Sequence, residues 1–141
     1  MNYFDSHIMA ENYAKGRPYY HPLILSHIQE TLGIEKKVKR ALDIACGSGL
    51  STRMLCELAE ETYGTDTSKH MLAFAQKDVP ATFSIAQAEN QPFPNQNFEL
   101  ISVSSGVHWF DIDKFLEEAH RLLMPRAFLI LYDNFFLGSM P

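Results

Sequence analysis

The sequence predicts a doubly wound α/β domain, in which a mostly parallel sheet lies between two layers of helices. Short apolar runs alternate along the chain with amphipathic helical patterns. One of these runs, from Ala41 to Ile44, gives way abruptly to Gly47 and Gly49, and the stretch 127–132 is almost continuously apolar. Strands that alternate with helices are joined by right-handed crossovers, which favour a parallel sheet covered on both faces.

The first two helices and the first strand follow from apolar spacing. Leu25, Ile28 and Leu32 recur at helical intervals, which predicts a helix over 22–32 that Gly33 ends. The short apolar run over 38–45 stops at glycines and predicts the first strand. One apolar face of the next helix is formed by Leu50, Met54, Leu55 and Leu58.

The middle of the chain is predicted to add two strands and one helix. Residues 62–66 are a weak strand by composition, because Gly64 disfavours β structure, but their place between two helices supports the prediction. Ser68 can cap a helix that ends before Pro80, and a third strand follows at 82–86.

The last third of the chain completes the alternation. Prolines and asparagines make 91–97 a turn, and a fourth strand follows at 98–104. Helical spacing over 113–123 ends before Pro125, and 127–132 is the strongest strand pattern in the chain. We expect a single domain over residues 1–141.

Composition argues against several classes of function. The net charge of −5 gives no electrostatic footprint for a nucleic acid. Two cysteines, Cys46 and Cys56, make neither a disulfide framework nor a zinc spacing. No apolar segment approaches the ~20 residues that span a bilayer, and no leader pattern opens the chain. We therefore expect a cytoplasmic protein without a metal, nucleic-acid or membrane partner.

The loop 45–49 lies where doubly wound sheets bind ligands, beyond the carboxyl end of the first strand. Gly47 and Gly49 allow the backbone to approach a ligand, and amides at the start of the next helix can serve a ligand's carboxylate. Turn geometry alone is the alternative reason for these glycines. A dinucleotide fingerprint would have a third glycine where Thr52 stands, and no P-loop lysine is present. These departures disfavour an NAD-dependent oxidoreductase and an ATPase.

Asp66 is the second acidic residue of the candidate site. It ends the second predicted strand, at the ~20-residue spacing typical of a carboxylate that binds ribose hydroxyls. The alternative is that residues 66–68 cap the following helix, which Asp, Thr and Ser all do well. The two roles are compatible.

Two runs in the correct order carry a family resemblance. Asp43-Ile-Ala-Cys-Gly-Ser-Gly49 and Gly64-Thr-Asp66-Thr-Ser-Lys-His-Met-Leu72 resemble class I S-adenosylmethionine-dependent methyltransferases, in the group of small-molecule and trans-aconitate-type enzymes. Ala45 stands at the family's first loop glycine, and the resemblance extends from about residue 13 to 133. It implies a Rossmann-like sheet, S-adenosylmethionine as the cofactor and a small-molecule acceptor.

The resemblance also implies where the cofactor is held. Gln87 stands where many relatives have an aspartate that meets the adenine amine, and the N–H of Ala88 would contact the adenine ring; an ordinary polar loop is the alternative. Tyr13 and Arg17 lie in a lead-in that would fold over the methionine carboxylate, or would only pack at the N-terminus. The implied cofactor residues are Asp43, Ala45, Cys46, Gly47, Gly49, Asp66, Thr67, Gln87, Ala88, Ser104, Tyr13 and Arg17.

The segment from Ser104 to Phe110 resembles the part of this subgroup that borders the transferred methyl group. His108 is the candidate general base, since histidine exchanges protons near neutral pH. Many such enzymes act by positioning alone, and that is the alternative. We expect Trp109 and Phe110 to pack in the core, with a pocket wall as the other role of Trp109.

The C-terminal part departs from the family pattern. Pro125-Arg126-Ala127 replaces Pro-Gly-Gly, so this turn must differ or be strained. The family's last strands do not follow before Pro141, so we expect a fragment of a longer protein, or copies that associate through the exposed sheet edge at 127–132. A cofactor-binding module without transferase activity is the alternative function.

Overall fold

Residues 21–104 and 106–133 are described by the structure, a computed structural model. The five strands are β1 (Val38–Ile44), β2 (Ala59–Asp66), β3 (Thr82–Ile85), β4 (Phe98–Ser104) and β5 (Leu123–Tyr132). The helices are α1 (His21–Leu32), α2 (Leu50–Leu55), α3 (Lys69–Asp78) and α4 (Ile112–Leu122), with a short 3-10 helix at Val107–Trp109. Every pair of neighbouring strands is parallel, in the order β3-β2-β1-β4-β5. The predicted three-layer α/β fold is confirmed.

Alternation along the central strands builds a core on each face of the sheet. Leu42 and Ile44 of β1 pack with Phe115 of α4 on one face. Ala41 and Leu100 pack on the other face, with apolar residues of α1 and α2. Helices therefore cover both faces, and successive strand residues point to opposite sides, as a buried parallel sheet requires.

The bounds of β2, α2 and β5 differ from the sequence prediction because tertiary contacts decide them. β5 begins at Leu123 and not at 127, since Leu123 pairs with Phe98 of β4. β2 begins at Ala59, since Ala59 and Glu61 pair with Val38 and Arg40 of β1. α2 ends at Leu55, and Leu58 lies in the turn that follows, although its side chain is still buried in the core. An apolar residue at helical spacing can thus reach the core from outside the helix.

The entry into β5 contains the irregular turn that the sequence predicts. Leu123 pairs with Phe98 and Phe128 pairs with Leu100, so the β5 side carries extra residues between these two pairs. Within this bulge Arg126 has φ 65°, in the left-handed region that favours glycine. Of the two expected alternatives, a different turn or a strained one, the positive φ of Arg126 supports the strained turn.

The strand order reverses between β1 and β4. From β1 the chain moves outward to β2 and β3, and then returns to β4 and β5 on the other side. Doubly wound sheets bind ligands at such a reversal, beyond the carboxyl ends of the strands. The loops after β1, β2, β3 and β4 all lie at this end of the sheet.

Candidate functional site

The loop after β1 forms the floor of the crevice at the strand reversal. Ala45 and Gly47 have φ 58° and 57°, so the chain turns sharply as it leaves β1. The N–H of Cys46 donates to the carbonyl oxygen of Thr65 over 2.9 Å, which ties the loop to β2. The Cys46 side chain is buried, and a Cβ atom at Gly64 would lie 3.1 Å from its sulfur. Only the backbone of Cys46 is therefore available to a ligand.

Close packing explains the two loop glycines in part. A Cβ atom at Gly49 would lie 2.9 Å from the Cβ of Ala75 in α3. At Gly47 it would lie 3.0 Å from the terminal carbon of Met71. Gly49 thus allows α2 and α3 to approach each other, so turn and packing geometry account for it without a ligand.

Asp43 lies beneath the loop, fully buried. Its carboxylate accepts hydrogen bonds from the hydroxyls of Ser51 at 2.6 Å and Thr52 at 2.8 Å, and from the Ser102 hydroxyl at 3.1 Å. Its pKa is raised from 3.8 to about 6, mainly by burial and to a smaller extent by the nearby charge of Asp66, while these three hydrogen bonds oppose the shift.

These bonds change the role of two residues considered from sequence. Thr52, which stands where a dinucleotide fingerprint has glycine, binds Asp43 through its hydroxyl. Asp43 itself was expected to contact the cofactor, whereas the structure directs its oxygens to α2 and β4. It holds the start of α2 under the loop and supports the site from below.

Asp66 faces the loop at the end of β2. One carboxylate oxygen accepts from the N–H of Gly47 and the other from the N–H of Ser68, both at 2.9 Å. Burial raises the pKa of Asp66, and these backbone hydrogen bonds oppose that shift. The backbone N–H of Thr67 also bonds this carboxylate. One of its about four lone-pair positions therefore remains to accept a hydrogen bond from a ligand hydroxyl.

The residues after Asp66 start α3. The Ser68 hydroxyl accepts a hydrogen bond from the N–H of Met71 at 3.3 Å and caps the helix, as predicted. Thr67 is exposed beside it. Ser68 thus caps α3, while Asp66 binds both the N–H of Ser68 at the entry to α3 and the N–H of Gly47 in the loop after β1.

The loop after β3 encloses an open cavity of about 280 Å³. Gln87 is exposed on its wall, and Ile85 adds an apolar surface that is 62% exposed. The N–H of Asn90 donates to the Gln87 carbonyl over 3.1 Å and closes a tight turn. The Ala88 side chain is buried in the core, so this residue offers a ligand only its backbone.

At the end of β4, the hydroxyl oxygen of Ser104 is buried and has no hydrogen-bond partner within the described residues. A Cβ atom at Gly106 would lie 3.0 Å from the Cβ of Ala45, so the segment after β4 meets the loop after β1. A buried hydroxyl without a partner is costly, and a ligand atom in the crevice is one way to satisfy it.

The 3-10 helix places His108 and Trp109 on the surface. Trp109 is 72% exposed, and its ring lies 4.9 Å from that of His108 between centroids. The expected core packing of Trp109 is wrong. Phe110 instead packs 4.9 Å from Phe115, and a 3-10 turn directs adjacent side chains apart.

The structure thus gathers the loop 45–49, Asp66, Gln87 and Ser104 at one end of the sheet, with His108 exposed on the segment after β4. Tyr13 and Arg17 lie outside the described residues. Within the described ranges, no cluster of three or more His, Cys, Asp or Glu side chains could hold a metal ion. No helix there is long and apolar enough to cross a membrane.

Several supporting residues were missed by the sequence reasoning. Ser51 and Ser102 hold Asp43, while Gln91, Glu118 and Arg121 hold the loop after β3. Serines and a Glu/Arg pair three positions apart on a helix are common in any sequence. Their partners are distant along the chain, so no local pattern marks them.

Comparison with known proteins identifies the family of this chain. A family model described as a methyltransferase domain matches residues 42–131. The chain is 36% identical to the demethylmenaquinone methyltransferase of Thermus thermophilus, over 72% of this chain and 50% of that protein. It is 29% identical to a rat protein named arginine-hydroxylase NDUFAF5, mitochondrial, over 99% of this chain and 42% of that protein.

Solved structures share the fold. An S-adenosylmethionine-dependent methyltransferase from Clostridium acetobutylicum matches with a TM-score of 0.69 and 21% identity, over 89% of this chain and 54% of that one. The chain spans about half the length of the curated relatives it matches.

Proposed function

This chain belongs to the methyltransferase-domain family, within the class I S-adenosylmethionine-dependent methyltransferases, and from that premise we propose that it transfers a methyl group from S-adenosylmethionine to a small-molecule acceptor. The observation that carries the proposal is the position of Asp66. Its carboxylate lies at the strand reversal, bonded to the N–H of Gly47, with acceptor capacity left for a ligand.

The residues around the crevice fit this cofactor. Asp66 can accept a hydrogen bond from a ribose hydroxyl. The open cavity beside Gln87 offers the apolar surface of Ile85 to a flat base and an amide oxygen to an exocyclic amine. The buried Ser104 hydroxyl, which has no partner in the described part of the chain, offers a donor at the end of β4.

The chemistry requires little of the protein beyond positioning. When bound, the cofactor supplies an electrophilic methyl group on a sulfonium. The chain's task is to fix the ribose through Asp66 and to hold the base at Gln87. His108 is exposed on the segment after β4, which meets the loop after β1 at Gly106, and its imidazole could take a proton from an acceptor hydroxyl or amine. This proton transfer is part of the proposal.

The nature of the acceptor is the finer part of the proposal. A small molecule is supported by the Thermus relative, whose name gives demethylmenaquinone as its substrate. A protein acceptor is the second candidate, because the rat relative that aligns over 99% of this chain is named an arginine-hydroxylase. Transfer of a radioactive methyl group to small-molecule panels and to protein fractions distinguishes the two.

Calorimetric titration with S-adenosylhomocysteine tests the cofactor site without an acceptor. We expect the unaltered protein to bind, and Asp66→Ala to weaken binding by about tenfold or more, since it removes a partly buried charged acceptor. Asp78→Ala, at an exposed aspartate of α3, is the matched control and should bind like the parent. A folded parent that fails to bind, or an Asp66→Ala variant that binds equally well, would contradict the proposal.

A further inference from the structure

Gln91 is a buried polar residue in the loop after β3, and only 4% of its surface is exposed. Its amide nitrogen donates to the carbonyl oxygen of Gln87 over 2.7 Å. Its amide oxygen accepts from the hydroxyl of Thr65 over 2.9 Å. Because a carbonyl can only accept, the amide orientation is fixed, and both ends of the side chain are satisfied.

The two partners of Gln91 lie next to proposed cofactor contacts. Thr65 immediately precedes Asp66, the candidate ribose ligand, on β2. The Gln87 carbonyl closes the turn that presents the Gln87 side chain to the open cavity. One buried amide therefore links the strand that carries the ribose contact to the turn that carries the base contact. It adds to the backbone hydrogen bond from the N–H of Ala86 to the carbonyl oxygen of Asp66.

An ion pair on α4 fixes the backbone of Gln91. The Glu118 carboxylate accepts from the N–H of Gln91 over 2.6 Å. Arg121 binds both oxygens of Glu118, at 2.6 and 2.8 Å, which is the strong bidentate geometry. Hydrogen bonds from the Arg121 guanidinium lower the pKa of Glu118.

The same guanidinium holds the rest of the loop. It donates to the carbonyl oxygen of Gln91 at 3.2 Å, to that of Phe93 at 2.8 Å and to the side-chain oxygen of Asn95 at 2.9 Å. A single arginine thus gathers three residues of an irregular segment that has no strand or helix of its own.

We propose that Gln91 is a positioning residue for the adenine end of the cofactor, held in place by the Glu118–Arg121 pair of α4. This inference rests on the proposed function and deepens it. Gln91 also lines the open cavity, but both ends of its amide are engaged by Thr65 and Gln87, so its role is to aim Gln87 at the base relative to Asp66. Loss of Gln91 should therefore reduce discrimination between bases as well as affinity.

The test compares two ligands that differ only at the base, S-adenosylhomocysteine and its hypoxanthine analogue, S-inosylhomocysteine. The analogue has an oxygen where adenine has the amine, so Gln87 can distinguish them only if it is aimed at that position. In Gln91→Leu we expect affinity for the adenine ligand to fall about tenfold and the ratio of the two affinities to move towards one. A merely structural loss would weaken both ligands equally.

Two further variants keep the test valid if Gln91→Leu folds poorly. Gln91→Glu keeps the acceptor for Thr65 but cannot donate to the Gln87 carbonyl, so it should reproduce the loss of discrimination. Arg121→Lys keeps the positive charge but loses the two-pronged contact, and it should show a smaller loss of the same kind. Gln76→Leu, at an exposed glutamine of α3, is the matched control and should behave like the parent.

Amide hydrogen exchange without ligand gives an independent measurement. Gln91→Leu and Arg121→Lys should speed exchange across 87–95, and leave β1 and β4 unchanged. An unchanged affinity ratio in both Gln91 variants, or unchanged exchange across 87–95, would overturn the positioning role while the parent still binds. A parent that binds neither ligand would instead contradict the proposed function, and this inference with it.

Discussion

At the scale of single residues, Asp43 shows how a buried charge can support a site that it does not touch. Three hydroxyl donors surround its carboxylate, yet burial still outweighs them and raises its pKa to about 6. Charge at this position is therefore costly, and the loop after β1 is built on a carboxylate that is partly protonated at mildly acidic pH.

This cost makes folding stability depend on pH. The pKa of Asp43 is higher in the folded protein than the ordinary value of 3.8, so the folded state binds more protons between about pH 4 and 6. The contribution of Asp43 to the unfolding free energy should fall as pH rises through this window, by up to about 3 kcal/mol. Urea unfolding of the parent and of Asp43→Asn, at several pH values from 4 to 7, measures it.

Comparing the parent with Asp43→Asn separates the contribution of Asp43 to the pH dependence from that of Asp66, whose pKa is also raised. We expect the parent to lose stability relative to Asp43→Asn as pH increases, since the amide does not titrate. A difference between the two that stays constant from pH 4 to 7 would show that Asp43 has the same pKa folded and unfolded.

Residue positions were predictable from the sequence where the backbone decides them. Asp66 ends a strand and Gly47 begins a loop, so their places follow from strand order and spacing. Trp109 and Gln91 were not predictable, because an exposed tryptophan and a buried glutamine both reverse the usual preference of their residue type. The 3-10 turn explains the exposure of Trp109, and the Glu118–Arg121 pair helps to explain the burial of Gln91.

At the scale of elements, the turn into β5 is one of three places in the described backbone where a residue other than glycine has a positive φ. Arg126 adopts a φ of 65° in an exposed bulge, where a side chain crowds its own backbone. The registers before and after it differ, so the turn is held by the pairing of β4 with β5 on both sides. Tertiary pairing has imposed this conformation on a residue that disfavours it.

Arg126→Gly should relieve the strain. We expect the unfolding free energy to rise by about 0.5–1 kcal/mol, because glycine accepts positive φ without crowding. The same substitution at Arg53, inside α2, should have the opposite sign and cost about 1 kcal/mol or more. Thermal and denaturant unfolding measure the change in unfolding free energy of both variants. A loss of stability in Arg126→Gly would contradict this account of the turn.

Elements were predictable where apolar runs are strong, as in β4, whose bounds agree with the prediction. β2 was a weak prediction because of Gly64, and the structure supplies the missing reason. The Phe83 ring of β3 covers Gly64 so closely that a Cβ atom there would lie 2.7 Å from it. A neighbouring strand thus provides the contact that the glycine cannot, and no local pattern reveals this.

At the scale of the whole molecule, β5 forms one edge of the sheet among the described strands. Phe128 and Leu131 on this strand are 43% and 46% exposed. Unpaired backbone groups beside exposed apolar side chains favour association between copies. The association predicted from sequence stays a prediction, and the exposed edge supports it.

Light scattering over a range of protein concentrations measures this association. We expect the average mass to rise with concentration, and Leu131→Lys to shift the rise to higher concentration, because charge on an edge strand opposes pairing. The matched control is Leu23→Lys, at a leucine of α1 that is 79% exposed and far along the chain from β5. A parent that stays a monodisperse monomer would contradict the prediction.

The position of one residue also determines the intrinsic tryptophan fluorescence of this protein. Trp109 is the only tryptophan of the chain, and it stands largely in water on the segment that follows β4. All indole fluorescence therefore originates from one point near the rim of the crevice. Tryptophan fluorescence of this protein therefore reports only on the surroundings of the 3-10 helix after β4.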